Sequence, residues 1–169
     1  MFTSAHAVMD KIVEHVEKSH KVVITTEEHA QDLIRNMREI DKLEVSCFGY
    51  SPSKAVERSI QESDFCFTIL SKDEKVMGIF GAGVSKEEPL MWLLGTKELD
   101  RNPMTLLRHC QKWIYAIAEA YGSVSNWIHA DNLVCLRWLQ WCGAELSEPV
   151  EVQGELLRKF KINVEKQNV

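Results

Sequence analysis

The run Leu90 to Thr96, LMWLLGT, is apolar on both of its alternating faces. A strand of that kind has to lie inside a sheet with cover above and below. Downstream come a break at 97–103, a long helical pattern from Met104 to Tyr121, and a short strand, Asn126 to Ala130 (NWIHA). Strand, helix and strand in that order need a crossover, which sets the two strands parallel. Upstream, Asp64 to Leu70 (DFCFTIL) and Lys75 to Val84 (KVMGIFGAGV) are joined by the charged turn Lys72-Asp73-Glu74, and Glu87-Glu88-Pro89 forms the next turn. Such short connections make antiparallel hairpins. The chain therefore reads as an α/β protein with a mixed, mainly antiparallel sheet and helices on both faces.

The remaining elements fit around that sheet. Residues 1–20 carry Val8, Met9, Ile12, Val13 and Val16 on one helical face, an N-terminal helical extension. Lys21 to Thr26 (KVVITT) is a β-branched strand, and Thr25 or Thr26 caps a helix whose first turn holds two acids. The segment from Asp41 to Pro52 reads as polar and irregular, and Pro52 or Ser53 opens a helix over 54–61. Glycines within KVMGIFGAGV indicate a bulge or a close backbone approach. Pro103 suits a first helical position with Asn102 as cap, and Gly122 ends that long helix. Asp131 or Asn132 caps the last helix, Gly143 stops it, and 150–164 forms one or two strands around Gly154. With no repeat or linker, one domain is expected over 1–169: an extension (1–20), a core (21–146) and C-terminal strands (147–169).

Composition excludes several function classes. Net charge is −5 and no basic stripe is visible, so no nucleic-acid partner is expected. No apolar run approaches the length of a bilayer span, so no membrane partner is expected either. Cys47, Cys66, Cys110, Cys135 and Cys142 form no CxxC pair and no Cys/His cluster, so no metal site is expected. Thiols in apolar patterns indicate a reducing, cytoplasmic setting.

From Leu90 to Ala144 the order of elements becomes specific: the strand LMWLLGT, the turn KELDRNPM, a long helix, a short strand, and the helix DNLVCLRWLQWCGAEL. This series resembles the GCN5-related N-acetyltransferase (GNAT) superfamily. Asn132 and Gly143 stand where that superfamily's last helix has its Asn and Gly, while Cys135 replaces the usual alanine and Ala144 the phenylalanine. The words MREIDKLEV, SPSKAVERSI, WLLGT and NLVCLRWLQWCGAE are also similar to small acetyltransferase-like proteins of short-tailed bacteriophages, internal virion proteins and host-targeting early products among them. The likeness spans roughly residues 21–146.

The resemblance implies acetyl-CoA as co-substrate and an amine, in a phage setting a host protein, as acceptor. Leu93, Leu94, Gly95 and Thr96 would pair with pantetheine. Amides of Met104, Thr105 and Leu106 would hold the pyrophosphate at a helix start, with charge from Arg101, Lys97 or Arg108. Asn132 would hold the pantetheine or thioester region, and Arg137 would reach the adenine or 3′-phosphate. Two departures stand out. The turn Leu99 to Met104 lacks the superfamily's glycines, and Leu139 stands where a proton-donating tyrosine is usual. His129, Cys142, Trp138 and Trp141 are the nearby substitutes, although an indole donates a hydrogen bond without titrating. Trp138 and Trp141, three apart, should share one helical face with Leu139 and Cys142. For the general base the candidates are Glu44 and Asp41, with Glu39 beside them; Glu98 stands too near the phosphates. Against each stands a bland alternative: a capped helix, a hydrogen-bonded strand histidine, a solvated loop. Two functions follow, an acetyl-CoA-dependent N-acyltransferase, or a protein that kept the fold, lost the chemistry and binds a host or virion partner. A homodimer through either terminus is a further expectation.

Overall fold

The computed structural model describes residues 21–101 and 111–164, together with Asp10, Ile12 and Val13. Most of the expected N-terminal helix, and the whole of Met104, Thr105 and Leu106, lie outside the described residues. Among the described residues eight strands are present: β1 (Val22–Ile24), β2 (Phe65–Leu70), β3 (Val76–Ser85), β4 (Glu88–Gly95), β5 (Ser123–His129), β6 (Glu145–Leu146), β7 (Val150–Val152) and β8 (Glu155–Asn163). The described helices are α1 (Glu27–Asn36), α2 (Glu39–Ser46), α3 (Pro52–Gln61), α4 (Lys97–Arg101), α5 (Gln111–Tyr121) and α6 (Leu133–Trp141). One sheet runs β1-β2-β3-β4-β5-β8-β6, with β7 also on β8. Every pairing is antiparallel except β4 with β5, the mixed sheet that the sequence requires.

Sequence signals account for most boundaries. Thr26 caps α1, accepting from the His29 amide while the His29 ring accepts from the Thr26 amide, so two donors at the helix start are satisfied together. Ser51 caps α3, with Pro52 in the first turn. Gly122 ends α5 and Gly143 follows α6, at φ +78° and +86°, where a side chain would be strained. In β3, a methyl on Gly83 would stand 2.5 Å from the Glu62 carbonyl oxygen, and one on Gly81 would stand 2.7 Å from that of Phe65. Close backbone approach is thus the reason for those two glycines.

The structure departs from the sequence reading in three places. Residues 41–46, part of the stretch 41–52 expected to be irregular, belong to α2. Its buried positions include Asp41, so a polar residue interrupts the apolar period by which helices are recognised. Residues 97–101, expected as a break, form the short helix α4. The turn after β3 is Lys86-Glu87, and Pro89 lies inside β4 opposite Val84.

Each sheet face has its own core. On one side Phe65, Phe67 and Met91 meet Trp113 and Ile117 of α5 and Leu136 and Leu139 of α6. On the other, Ile79 and Leu94 meet Leu33 and Met37 at the end of α1, Val45 of α2 and Val56 of α3. At about 25 cal/mol per Å² of apolar surface, these two layers are the main driving force for folding. The tight β3–β4 hairpin works against it. Lys86 and Glu87 both sit at positive φ, 49° and 67°, the conformation that asparagine and glycine favour in such turns. Replacing the pair by Asn-Gly (Lys86→Asn with Glu87→Gly) should raise unfolding stability by about 1 kcal/mol in denaturant titrations, with the denaturant slope unchanged.

Candidate active site

Among the described residues β4 and β5 are the only parallel neighbours, and a single pair, Leu90 with Ser125, joins them. Their outer edges are fully occupied, β4 by β3 from Glu88 to Gly95 and β5 by β8 from Ser123 to His129. Beyond Leu90 the two central strands therefore separate, and a gap opens in the middle of the sheet. Asn126 fixes its narrow end. Its side-chain amide donates to the Met91 carbonyl at 3.0 Å, and its own oxygen accepts from the Trp127 amide at 2.8 Å. A side chain thus replaces the ladder bond that a closed sheet would make.

The strand edge facing the gap can be followed residue by residue. The Thr96 amide donates to the Met77 carbonyl at 2.9 Å, so Thr96 faces β3. Successive residues in a strand point their backbone groups to opposite sides, so Leu94 also faces β3, whereas Gly95 and Leu93 face the gap. The Gly95 amide donates to Asp41 Oδ2 at 3.0 Å, and its carbonyl accepts from the Arg38 amide at 3.0 Å. Among the described residues, that leaves the Leu93 amide and carbonyl as the open backbone pair between the Asn126 bridge and the Arg38–Asp41 plug.

The plug is a buried ion pair. Arg38 and Asp41 are 2% and 0% exposed, with Arg38 Nε and Nη2 at 2.7 and 3.0 Å from the two Asp41 oxygens. The third side of the guanidinium donates to Asp100 Oδ1 of α4 at 3.2 Å, and Nη2 lies 3.6 Å from Cys135 Sγ of α6. Burial opposes the guanidinium's charge, but Asp41 outweighs it and holds Arg38 above its ordinary value. Burial also pushes the Asp41 carboxyl up, against Arg38 and the Gly95 amide. Every contact that Asp41 makes here is with a donor, so these bonds are satisfied by the ionised carboxylate. One fork of charge thereby ties the start of α2, the end of β4, α4 and α6 together.

One turn along α2, Glu44 crosses to the other strand. Its Oε2 accepts from the His129 backbone amide at 2.8 Å, and the Asn132 side chain donates to the same carboxyl. Burial, and after it the nearby Asp41 carboxylate, push the Glu44 carboxyl up from an ordinary 4.5 to about 8. A carboxyl so placed exchanges its proton near neutrality, the range in which a general base is most effective.

Around Glu44 the gap widens into a pocket of about 120 Å³, roughly ten times what a single water requires. It passes through the sheet. Val45 and Phe48 line it on the α2 side, Cys135, Trp138 and Leu139 on the α6 side, and Phe160 closes it from β8. Burial raises the Cys135 and Cys142 thiols to about 12 each, so neither is an acid or nucleophile near neutral pH. Among the described residues no cluster of His, Cys, Asp and Glu could hold a metal ion, and no helix is long and apolar enough to cross a membrane.

No family model and no curated protein matches the sequence. Solved structures do match its shape. A GCN5-related N-acetyltransferase from Kribbella flavida superimposes with a TM-score of 0.59 at 13% identity, covering 85% of this chain and 97% of its own. A spermidine N-acetyltransferase chimera built in part from the Vibrio cholerae enzyme gives 0.62 at 8%, covering 86% and 95%. A Bacillus subtilis acetyltransferase in complex with CoA gives 0.53 at 12%, covering 85% and 98%. The fold is that of the GCN5-related N-acetyltransferases.

On this GNAT fold the residues singled out from sequence separate into groups. Glu44 and Asn132 come together in the pocket wall. Asn132 stands at the N-cap position of α6 but makes no capping bond with its side chain, which goes to Glu44 instead. His129 meets them only through its backbone. Its ring is held by Glu155 at Nε2 (2.7 Å) and by the Asp131 amide at Nδ1 (3.1 Å), outside the pocket lining. Asp41 and Gly95 are bound into the plug. Thr96 is 1% exposed and its hydroxyl donates to the Val76 carbonyl at 2.6 Å. Leu94 turns its backbone to β3, so of the expected pantetheine strand only Leu93 presents an open edge. Arg101, bonded to Glu98 at 3.0 Å, and Arg137 are both exposed. Trp141 is 44% exposed and Trp138 4%, so the two do not share a buried face.

Sequence reading missed Arg38, Asn126, Trp127 and Phe48. The Arg38-x-x-Asp41 spacing was a legible signal, since charges three apart meet once the segment is helical. Nothing local marks Asn126, whose partner Met91 lies thirty-five residues away.

Two measurements test this electrostatic arrangement. Asp41→Ala should cost about 3–5 kcal/mol in equilibrium unfolding, because it leaves the Arg38 charge buried and unpaired; removing both charges with Arg38→Met, Asp41→Leu should cost less than that single change. For Glu44 the folded value lies above the unfolded one. Its contribution is therefore complete below about pH 4.5 and is lost as pH rises through about 8. Glu44→Gln should match the parent at pH 4–5 and exceed it by roughly 2–4 kcal/mol above pH 8, as read from unfolding curves across that range.

Proposed function

We propose that the chain is an acyl-CoA-dependent N-acyltransferase, with acetyl-CoA as donor and the pocket between β4 and β5 as the place where thioester and amine meet. One observation carries this reading: an open strand edge at Leu93 shares the central gap with Glu44, a carboxyl whose proton exchanges near neutral pH. The CoA complex among the structural neighbours supports the choice of donor.

The residues present fit such a donor in part. The Leu93 amide and carbonyl can take up an extended pantetheine as a strand takes up a neighbour. That amide is also the donor available to a carbonyl oxygen gaining negative charge. Lys97 and Arg101 are exposed cations just beyond the end of β4, on the side where the phosphates would lie. Met104, Thr105 and Leu106 remain the expected pyrophosphate amides. Asn132 acts on the donor indirectly, by orienting Glu44, and Arg137 stays a candidate for the nucleotide end. Glu44 takes the proton of the attacking amine; His129 supports it by its backbone amide, and Asp41 by its charge. With Leu139 in the pocket wall, the leaving thiolate regains its proton from Glu44 or from water.

Two features favour the second reading, a GNAT fold that binds a partner without chemistry: the apolar Leu139, and the plug at Gly95 that removes one backbone pair from the donor strand. A host protein as acceptor and a phage origin rest on the sequence likeness, a cytoplasmic setting on the unpaired thiols, and pairing of two copies on the chain's two terminal segments.

Calorimetric titration with acetyl-CoA, joined to a thiol-release assay with amines, separates the readings. Micromolar binding is expected, with transfer that rises with pH and levels off above about 8. Glu44→Gln should leave acetyl-CoA affinity within about threefold, lower kcat about 100-fold and remove the pH-dependent limb. Absence of binding at millimolar acetyl-CoA would refute the enzyme and leave the partner-binding reading.

A further inference from the structure

The chemistry of the pocket wall bears on which amine it receives, an inference that rests on the reading of the pocket as a transfer site. Among the described residues, Glu44 is the only charged side chain in the lining. The rest of the wall is largely apolar and aromatic, with Phe48, Met91, Trp127, Trp138, Leu139 and Phe160 as its large members. Three of its other polar side chains, Asn126, Trp92 and Asn132, already have partners within the chain. Asn126 is bonded at both ends, to Met91 and to Trp127. The Trp92 indole donates to Ser63 Oγ at 2.8 Å, and Asn132 donates to Glu44. The Glu44 carboxyl, with about four acceptor positions, receives one bond from His129 and one from Asn132 and has capacity left for a ligand.

A wall of this kind discriminates by charge count. One ammonium or amine can be matched by Glu44. Each further cation of a polyamine would lie against apolar side chains without a counter-charge, and an unpaired buried charge is strongly unfavourable. An aromatic or branched apolar body, by contrast, gains from leaving water. Phe48 is 47% exposed and in the pocket lining, a large apolar side chain at the mouth with a face still open to contact.

We propose that the acceptor is a compound with a single amino group on an apolar body the size of an aromatic ring, seated against Phe48 and Trp127 with its nitrogen at Glu44. The nitrogen lone pair forms a C–N bond with the carbonyl carbon of the acyl thioester, and the C–S bonding pair leaves on sulfur. Glu44 takes the nitrogen proton, and the thiolate gains a proton from Glu44 or water. An amide and a free thiol result, with no oxidant or reductant involved. An acceptor that arrives as its ammonium form gives one additional proton to solvent.

The test uses the full chain, with 2-phenylethylamine and spermidine as probes. Binding is followed by tryptophan fluorescence, since Trp127 and Trp138 line the pocket, and transfer by thiol release from acetyl-CoA. The expected result is quenching by 2-phenylethylamine in the micromolar to low millimolar range, and kcat/KM at least 50-fold above that for spermidine. Phe48→Ala should raise KM for 2-phenylethylamine about 10-fold with a much smaller change in kcat, and Phe48→Leu should restore most of the loss. Equal or better use of spermidine, or a Phe48→Ala variant with unchanged KM, would overturn the proposal. The two readings fail separately. Acetyl-CoA binding without any response to 2-phenylethylamine sinks this assignment and leaves the transferase standing. Quenching by 2-phenylethylamine without acetyl-CoA binding keeps the pocket's amine selectivity and sinks the transferase. No response to either ligand sinks both.

Discussion

The separation of β4 from β5 governs everything that this structure can do. A sheet that closed along its full length would bury both strand edges in ladder bonds and leave no pocket. Here one backbone pair joins the strands, at Leu90 and Ser125, and two side-chain devices hold the rest apart. Asn126 bonds to Met91 where the next ladder bond would have formed. Arg38 and Asp41 occupy the backbone of Gly95 at the other end. Because unmet backbone groups are unfavourable away from water, each satisfied group at the ends of the gap stabilises its open form, and among the described residues the unpaired stretch of β4 is confined to Leu93.

Charge organises the same region in two steps. The Arg38–Asp41 pair is fully enclosed, and such a pair contributes little net stability against an apolar replacement. Its geometric consequence is larger, because it fixes α2 against the end of β4. With α2 so held, Glu44, three residues beyond Asp41, reaches the His129 amide on the opposite side of the gap. Asp41 then acts on Glu44 electrostatically: a carboxylate nearby disfavours a second ionisation and keeps the Glu44 proton exchangeable near neutrality. A residue with the look of a candidate base in the sequence thus serves as the electrostatic neighbour of another.

Most of the strands, the cap at Thr26, Pro52 at the start of α3 and the terminating glycines at 122 and 143 were legible, because each depends on neighbours a few residues away. The helix α2 was not, since its buried Asp41 makes sense only beside Arg38 and Gly95. Glu44 and Asn132 could be named separately as candidates. Their hydrogen bond could not be foreseen, because it joins residues far apart in the chain and takes the place of a helix cap that local sequence favours. His129 shows the converse: a histidine with suitable intrinsic chemistry has both ring nitrogens occupied, by Glu155 and the Asp131 amide.

By itself the sequence determined the alternation of strands and helices, the single parallel crossover and hence the mixed sheet with two covered faces, since periodicity and connection length act locally and admit few arrangements. Only the tertiary structure decided which backbone groups remain unpaired, which carboxylate is neutralised by an arginine and which is left to exchange a proton. Those outcomes depend on distances of about 3 Å between residues tens of positions apart, and on the low-dielectric surroundings that packing of both sheet faces creates.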